Sequence, residues 1–570
     1  MDIVGIDLGT SNSLIGYWDD DLSRPQLVEN VLGSTLTPSV VSVDDNGEFL
    51  IGAAALERLI THPDRSAALF KRQMGSRSES RLGKHRFRAE ELSALVIRQL
   101  LQDFEAQVGR RPTDAVISVP AYFSDGQRRA TKLAGEIAGL QVERLINEPT
   151  AAALAYGVEQ RLDDAVFAVI DLGGGTLDVT VLEYFSGVVQ VRASSGDRAL
   201  GGADFDQAVL RHCLAAWEIS TLDLVPKDLA LLSRRAREAK CQLSSADAAT
   251  IQFSPSTRRK HGEYEMTLTR AGLETLSNAL TQRIVATIDR ALRDSSYRAS
   301  DMDEVLLVGG ATRMPVIRNL VGRLFRKLPL MHVSPDEAIA LGAITQAALK
   351  ADAKALEDVV LTDVAPYTLG VDVAVEQADG QYEVGHFLPI IERNSPVPVS
   401  RVETLHPVSK KQRKVECNVY QGESRKVVNN VKLGQITQPL RREDGESLDV
   451  RFTYDVNGIL EVVTQPSSDA TPQRLVITGS ELELSPGEAE KALEKIAHLK
   501  IHPRETTENR TLLARAERLY EESLGQEREI VASLIREFEQ VLATQDHELV
   551  AQQRAEFEDR LDALERDPLR

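Results

Sequence analysis

Asp7-Leu8-Gly9-Thr10-Ser11-Asn12 and Asp171-Leu172-Gly173-Gly174-Gly175-Thr176 are the two stretches on which the reading of this chain turns. Each closes an apolar run, Ile3-Val4-Gly5-Ile6 in one case and Phe167-Ala168-Val169-Ile170 in the other. Each then gives an aspartate, a glycine turn and a hydroxyl before a further apolar run. Glycine at such a turn lets backbone N–H groups approach the oxygens of an anion, and the Thr10 and Ser11 hydroxyls add donors. Asp7, at a strand end, can hold a water of a hydrated magnesium ion. One copy alone is more often a plain turn. Two copies, the second with three consecutive glycines beside Asp171 and Asp178, are read as a phosphate-binding pair, because glycine packs poorly and has no other reason to cluster there.

Working outward, a third loop, Val308-Gly309-Gly310-Ala311-Thr312-Arg313, also follows an apolar strand. Gly309 and Gly310 would let backbone pass close to a base or ribose, and Arg313 could stack on the base; a simple turn is the alternative. Neither GxxxxGK[ST] nor GxGxxG occurs, which removes the P-loop and dinucleotide-fold readings. Lys71 and Glu148 stay ambiguous by residue chemistry. A lysine is usually a solvated charge, and Glu148-Pro149 could either start a helix at Ala151–Tyr156 or present its carboxylate to a metal.

The chain has 570 residues, 42% hydrophobic and 27% charged, so it calls for several soluble domains. Its first two-thirds alternates strand-like runs (Ile3–Ile6, Ala115–Val119, Ala165–Ile170, Val179–Leu182, Val305–Val308) with amphipathic stretches such as Gln127–Ala138 and Asp204–Trp217. This is an α/β pattern, and the echoed turns predict two facing halves. Character changes through charged Leu349–Glu357 and an acid-bracketed apolar run, Asp358-Val359-Val360-Leu361-Thr362-Asp363. Short alternating strands follow, broken at Ala378-Asp379-Gly380, Glu443-Asp444-Gly445 and Val456-Asn457-Gly458, which reads as an antiparallel β domain. From Leu484-Ser485-Pro486-Gly487-Glu488, with Ser485 as N-cap, the rest reads as helical.

The formal net charge of −19 disfavours nucleic-acid binding. Its 3 cysteines, Cys213, Cys241 and Cys417, lie far apart, which excludes a disulfide scaffold and close-spaced thiolate zinc sites. No run reaches the roughly 18–20 apolar residues of a membrane span. The first residues enter a strand without a leader pattern, so a cytoplasmic, membrane-free protein is expected.

Together these segments resemble the DnaK-type chaperones of the Hsp70 family. Matching stretches are Gly5–Ser13, Val119-Pro120-Ala121-Tyr122-Phe123-Ser124-Asp125, Ile146–Ala153, Asp171–Asp178, Leu200–Asp206, Val308–Arg313 and Pro335-Asp336-Glu337. Within the family the chain looks closest to the HscC branch, through Ala68–Gly75, Pro366–Gly370 and Asn509-Arg510-Thr511. The resemblance implies an α/β actin-like two-lobed ATPase domain (1–357), a linker (358–364), an antiparallel β-sandwich that binds peptide (365–480) and a short α-helical lid (481–570). It implies ATP/ADP with Mg2+, and K+ as a further candidate ion. Asp7 and Asp171 match acids that orient magnesium's water shell. Gly9, Thr10, Ser11, Asn12 and Gly173, Gly174, Gly175 and Thr176 match the phosphate loops, with Lys71, Glu148, Asp171 and Thr176 in catalytic roles. Lys240, Ser244, Gly309, Gly310, Arg313 and Asp336 match the adenosine pocket. Pro120 and Arg128 match a relay to the linker, and Arg144 a contact for J-domain partners. Val371, Ala374, Leu405, Val408, Val415 and Cys417 match the peptide groove and its arch.

Departures accompany the matches. Arg237 stands where the adenosine pocket usually has glutamate, and Ala203 replaces another glutamate. Ala374 and Val408 change the arch, Thr362 puts a hydroxyl in the linker, and Ser76–Arg88 and the lid are short. The implied activity is peptide binding controlled by ATP binding and slow hydrolysis, in a monomer that works on unfolded or specific clients with a J-domain partner, the need for an exchange factor being left open. The alternatives are a phosphotransferase or a filament-forming ATPase on the same actin-like fold, both of which leave residues 365–570 unexplained.

Overall fold

The computed structural model describes residues 3–477 apart from 45–46, 161–164, 186–187, 257–262, 331–332, 352–359, 378–380, 410–411, 441–446, 456–457 and 468–470. Within 509–565 it describes all but 510–511, 514, 517–518, 521–522, 524 and 545–546. The helix start expected at Ser485, the first part of the expected linker and the turns at 378–380 and 443–445 lie outside the described residues, as do Val456 and Asn457. The chain divides into two units, Met1–Tyr367 and Thr368–Arg570.

In the first unit the echo in the sequence becomes an echo in topology. The Ile3–Asp7 strand pairs in parallel with Asp114–Val119 and antiparallel with Asn12–Asp19 across the first turn. The Ala165–Leu172 strand likewise pairs in parallel with Glu304–Val308 and antiparallel with Leu177–Phe185 across the second. Both central strands are buried along nearly their whole length, which is why they read as unbroken apolar runs rather than alternating ones. Helices Ala89–Val108 and Asp125–Ile137 cover the first sheet, and Asn278–Ser295 and Pro315–Phe325 the second. The Asp125–Ile137 helix begins where it does because the Gln127 side chain turns back to accept the Ser124 N–H at 3.0 Å.

Two helices, Glu148–Gln160 and Ala338–Lys350, lie between the sheets and share a core with both. They cross backbone to backbone. A methyl group on Gly342 would sit 1.8 Å from the Ala151 carbonyl oxygen, and one on Gly5 2.3 Å from the Ile344 nitrogen. Small residues therefore set how closely the lobes approach. The Val360–Val364 segment, the described end of the expected linker, is a strand of this unit; Val360, Leu361 and Thr362 pair in parallel with Val188, Val189 and Gln190.

The second unit contains two antiparallel sheets. One runs in the order Tyr382–Ile391, Leu369–Glu376, Lys414–Gln421, Val431–Pro439, the other Val399–Leu405, Leu448–Tyr454, Leu460–Pro466, Gln473–Ile477. Val371, Cys417, Val419, Val450, Phe452 and Val462 are buried. Gln438 is buried among them with its amide fully used: its oxygen accepts from Thr464 Oγ1 at 2.9 Å and the Gln473 N–H at 3.1 Å, and its nitrogen donates to Pro439 and Thr471 carbonyls. The same unit holds helices Gly525–Ala543 and His547–Glu565, joined by a core that includes Leu534, Leu542, Val550 and Leu561 and by Phe538 stacked on Phe557 at 4.4 Å.

Candidate functional site

The echoed turns face each other. A methyl on Gly174 would meet Ser11 Oγ at 2.1 Å, and one on Gly175 would meet Thr10 Cγ2 at 2.8 Å. The second turn is braced from behind, since the Gly202 and Ala203 N–H groups each donate 2.9 Å bonds to the Gly173 and Gly174 carbonyls. The first is held by Ser39, whose hydroxyl donates to the Gly9 carbonyl at 2.8 Å. Backbone and hydroxyl donors from both lobes, Asn12 and Thr176 at the strand starts included, thus line one cleft.

Beneath them lies an acid cluster. Asp7, Glu148, Asp171 and Asp178 are all buried, and so is Lys71, which donates to Glu148 Oε1 at 2.7 Å. Lys71 reaches this depth because Leu69, in the left-handed region at φ 57°, turns the chain into a short helical turn Phe70–Gln73. Phe123 floors it, its ring 5.6 Å from Nζ. Ser118 donates to Asp7 at 2.6 Å, and the Tyr122 N–H to Asp178 at 3.0 Å. Asp171 Oδ2 is buried with no hydrogen-bond partner among the described residues.

These acids are under strain of charge. Burial, with the Glu148 carboxylate next, pushes Asp7 up to about 7. The same causes in the same order push Asp178 up to about 7 and Asp171 well above the ordinary carboxylate range. One ammonium does not balance them, and one buried carboxylate oxygen, Asp171 Oδ2, has no partner among the described residues, so the residues fit a hydrated cation brought in beside a polyphosphate. Among the described residues no group of three or more His, Cys, Asp or Glu is placed to hold a metal directly. Asp7 and Asp171 suit contact through water.

On the expected adenosine side, Lys240 donates to the Gly202 carbonyl at 3.0 Å and pairs with Asp206 at 2.7 Å. Ser244 follows just past the end of the same helix, and Arg237 on that helix is exposed. Gly309 takes φ 83°, which suits glycine, and a methyl there would press 2.5 Å from the Leu172 carbonyl. Arg313 pairs with Asp336 at 2.7 Å, and Asp336 lies against Gly310. The third loop thus packs directly onto the second turn.

Arg128, close to Pro120, is buried; it donates to the Asn147 side chain at 2.6 Å and to the Ala121 and Phe123 carbonyls. Asn147 in turn donates to the Asp363 carboxylate, and Tyr367 donates to the Tyr122 carbonyl at 2.8 Å. Arg144 feels the Asp363 charge, though burial, the larger effect, lowers its pKa. Ser118, Tyr122, Phe123, Asn147, Asp363 and Tyr367 lie in stretches that the sequence marks, without a role attached to any of them.

In the β unit the six groove candidates divide. Val371 and Cys417 are buried, the latter with its thiol pushed up to about 12 by burial; Ala374, Leu405 and Val415 are half-buried, and Val408 is exposed.

A two-lobed nucleotide cleft built on a doubled strand–turn–strand, followed by a β-sandwich and helices, defines an actin-like ATPase with a peptide-binding half. The sequence profile of the Hsp70 protein family matches residues 3–82 and 76–568. The chain is 38% identical to the chaperone protein DnaK of Thermosipho melanesiensis over 84% of this chain and 80% of that one. It is also 38% identical to the DnaK of Thermotoga petrophila over 86% and 83%. The chain belongs to the Hsp70 family. It is an ATP-dependent chaperone and ATPase of that family, which uses ATP/ADP with Mg2+ and works with client polypeptides and J-domain co-chaperones. The family match runs through the β and helical regions, which the phosphotransferase and filament readings leave unexplained.

Proposed function

We propose that the cleft between the echoed turns binds ATP and hydrolyses it slowly, and that the acid cluster with Lys71 sets the rate. The carrying observation is the buried Lys71–Glu148 pair, 2.7 Å long, beneath two facing donor turns. Gly9, Thr10, Ser11, Asn12, Gly173, Gly174 and Gly175 offer donors to the phosphates, and Lys240, Ser244, Gly309, Gly310, Arg313 and Asp336 frame the nucleoside. Magnesium bound with the nucleotide, held by Asp7 and Asp171 through water, supplies charge neutralisation on the phosphates. K+ is a further candidate ion.

Lys71 holds the attacking water in line, Glu148 fixes the ammonium, and Thr176 adds a hydroxyl at the loop's end. The unpartnered Asp171 oxygen can accept a hydrogen bond from that water. No histidine lies there among the described residues, and carboxyls that burial raises toward neutral pH are partly protonated, which leaves less free base to activate water. A slow rate follows.

The Val360–Val364 strand then serves as the moving part. Its pairing with Val188–Gln190 and the Arg128–Asn147–Asp363 contacts support a relay through Pro120 and Arg128, with Arg144 beside Asp363 as the J-domain contact. Extended apolar segments of clients would lie along Ala374, Leu405, Val408 and Val415, with Val371 and Cys417 beneath. Ala68–Gly75, Pro366–Gly370 and Asn509-Arg510-Thr511 support reading the chain as a member of the HscC branch, acting as a cytoplasmic monomer whose need for an exchange factor is open.

The test is ATP turnover with and without an apolar peptide and a J-domain protein. Stimulation is expected, and its absence with every peptide tried would end the chaperone half of the proposal. Lys71→Ala is expected to lower turnover at least ~100-fold while nucleotide affinity changes little. Equal loss of both would contradict its role.

A further inference from the structure

Lys71 and Arg72 are neighbours in one short helical turn, and the structure sends them to opposite sides of the phosphate loops. Lys71 goes down into the acids. Arg72 goes across the cleft, its Nη2 donating to Asp204 Oδ2 at 2.6 Å. Asp204 sits in the first turn of the Gly202–Ala216 helix, on the other lobe, where the same oxygen accepts the Gly201 N–H at 2.8 Å.

Among the described residues the guanidinium is held by one corner only. Its Nε is buried and has no hydrogen-bond partner among the described residues. A methyl on Gly175 would lie 2.8 Å from that Nε, 2.8 Å from Thr10 Cγ2 and 3.1 Å from Thr10 Oγ1. That Nε therefore lies beside the gap between Thr10 and Gly175, where the two turns meet. A tie between lobes would need no more than the Asp204 contact, and a buried donor left unmade is costly. The planar fork of arginine suits an oxyanion approached from the side, and the start of the Gly202–Ala216 helix adds positive potential at the same place.

We infer that Arg72 is a second cationic contact for the terminal phosphate of the bound nucleotide, and that Asp204 is the positioning residue that holds its guanidinium over the loops. This rests on the ATP-cleft reading above. It separates the two cations by role: Lys71 serves the water side, Arg72 the loop side. It also makes Arg72 a source of discrimination between ATP and ADP, since only ATP carries the phosphate it meets.

The experiment is titration of the full-length protein with ATP and with ADP under single-turnover conditions, read by calorimetry or by a fluorescent nucleotide, in wild type, Arg72→Ala, Arg72→Lys and Asp204→Asn. The asparagine keeps an oxygen for the Gly201 N–H and loses the ion pair. Arg72→Ala is expected to weaken ATP at least ~10-fold, as a lost charge-assisted hydrogen bond does, and ADP less than about threefold. Arg72→Lys and Asp204→Asn should fall between. Nucleotide-free melting curves check that each variant is folded, and Arg72→Lys carries the test if the alanine variant is not. Equal weakening of both nucleotides, or no weakening, overturns the inference. Failure of the wild type to bind either nucleotide would instead overturn the cleft reading itself.

Discussion

Replacing Asp178 by asparagine should stabilise the nucleotide-free protein, and only above a certain pH. Asp178 is buried, and burial together with the Glu148 charge moves its carboxyl from 3.8 to about 7. A raised carboxyl pKa means the folded state holds a proton that the unfolded state has released. Stability is therefore lost as pH rises from near 4, and the loss is complete once pH passes about 7. The shift spans roughly three units, a ceiling of ~4 kcal/mol, and water entering the cleft would reduce this to ~2 kcal/mol. Asparagine carries no charge to desolvate, and its oxygen can still accept the Tyr122 N–H, a 3.0 Å bond in the wild type. Chemical denaturation without nucleotide at pH 5, 7 and 8.5 would measure this. Asp178→Asn should be more stable than wild type by ~2 kcal/mol at pH 8.5, with the gap closing toward pH 5. A variant less stable than wild type at every pH, by a constant amount, would refute the charge argument and leave Asp178 a simple packing and hydrogen-bonding residue.

Gly342→Ala should unfold the first unit or cost well over ~3 kcal/mol, because the added carbon would lie 1.8 Å from backbone oxygen that has no room to withdraw; a thermal melt of the variant checks it. Phe538→Ala should cost ~3–5 kcal/mol of helical stability by removing one of two stacked rings, seen as early loss of helix signal while ATP binding persists.

The strands and turns of the first unit were legible because buried strands declare themselves as apolar runs and glycine turns have few other uses. Helices expected at Gln127–Ala138 and Asp204–Trp217 are found at Asp125–Ile137 and Gly202–Ala216, displaced at their starts by capping geometry that spacing alone does not reveal. Lys71 and Glu148 could not be joined from the sequence alone. They stand 77 residues apart, and their contact is created by the left-handed Leu69 and by a helix packed between two sheets. Arg72 and Asp204 lie in quoted stretches but carry no role there for the same reason: each is an ordinary surface residue type until the lobes are assembled. In the β unit, alternation shows which residues face inward but does not separate a core such as Val371 and Cys417 from a groove wall.

Tyr122 offers a last consequence. Its N–H is bonded to Asp178 at 3.0 Å and its carbonyl to the Tyr367 hydroxyl at 2.8 Å, while its ring lies 4.5 Å from that of Tyr367. One residue is thus shared between a cleft acid and the segment that continues the Val360–Val364 strand. A carboxylate accepts a stronger bond than a protonated acid does, so neutralising charge in the cleft loosens one side of Tyr122 and alters its hold on the other. Thermodynamics makes this reciprocal: whatever pulls Tyr367 away must shift the affinity of Asp178 for a proton by the same free energy. A proton titration of the cleft would then register the position of a segment that never enters it.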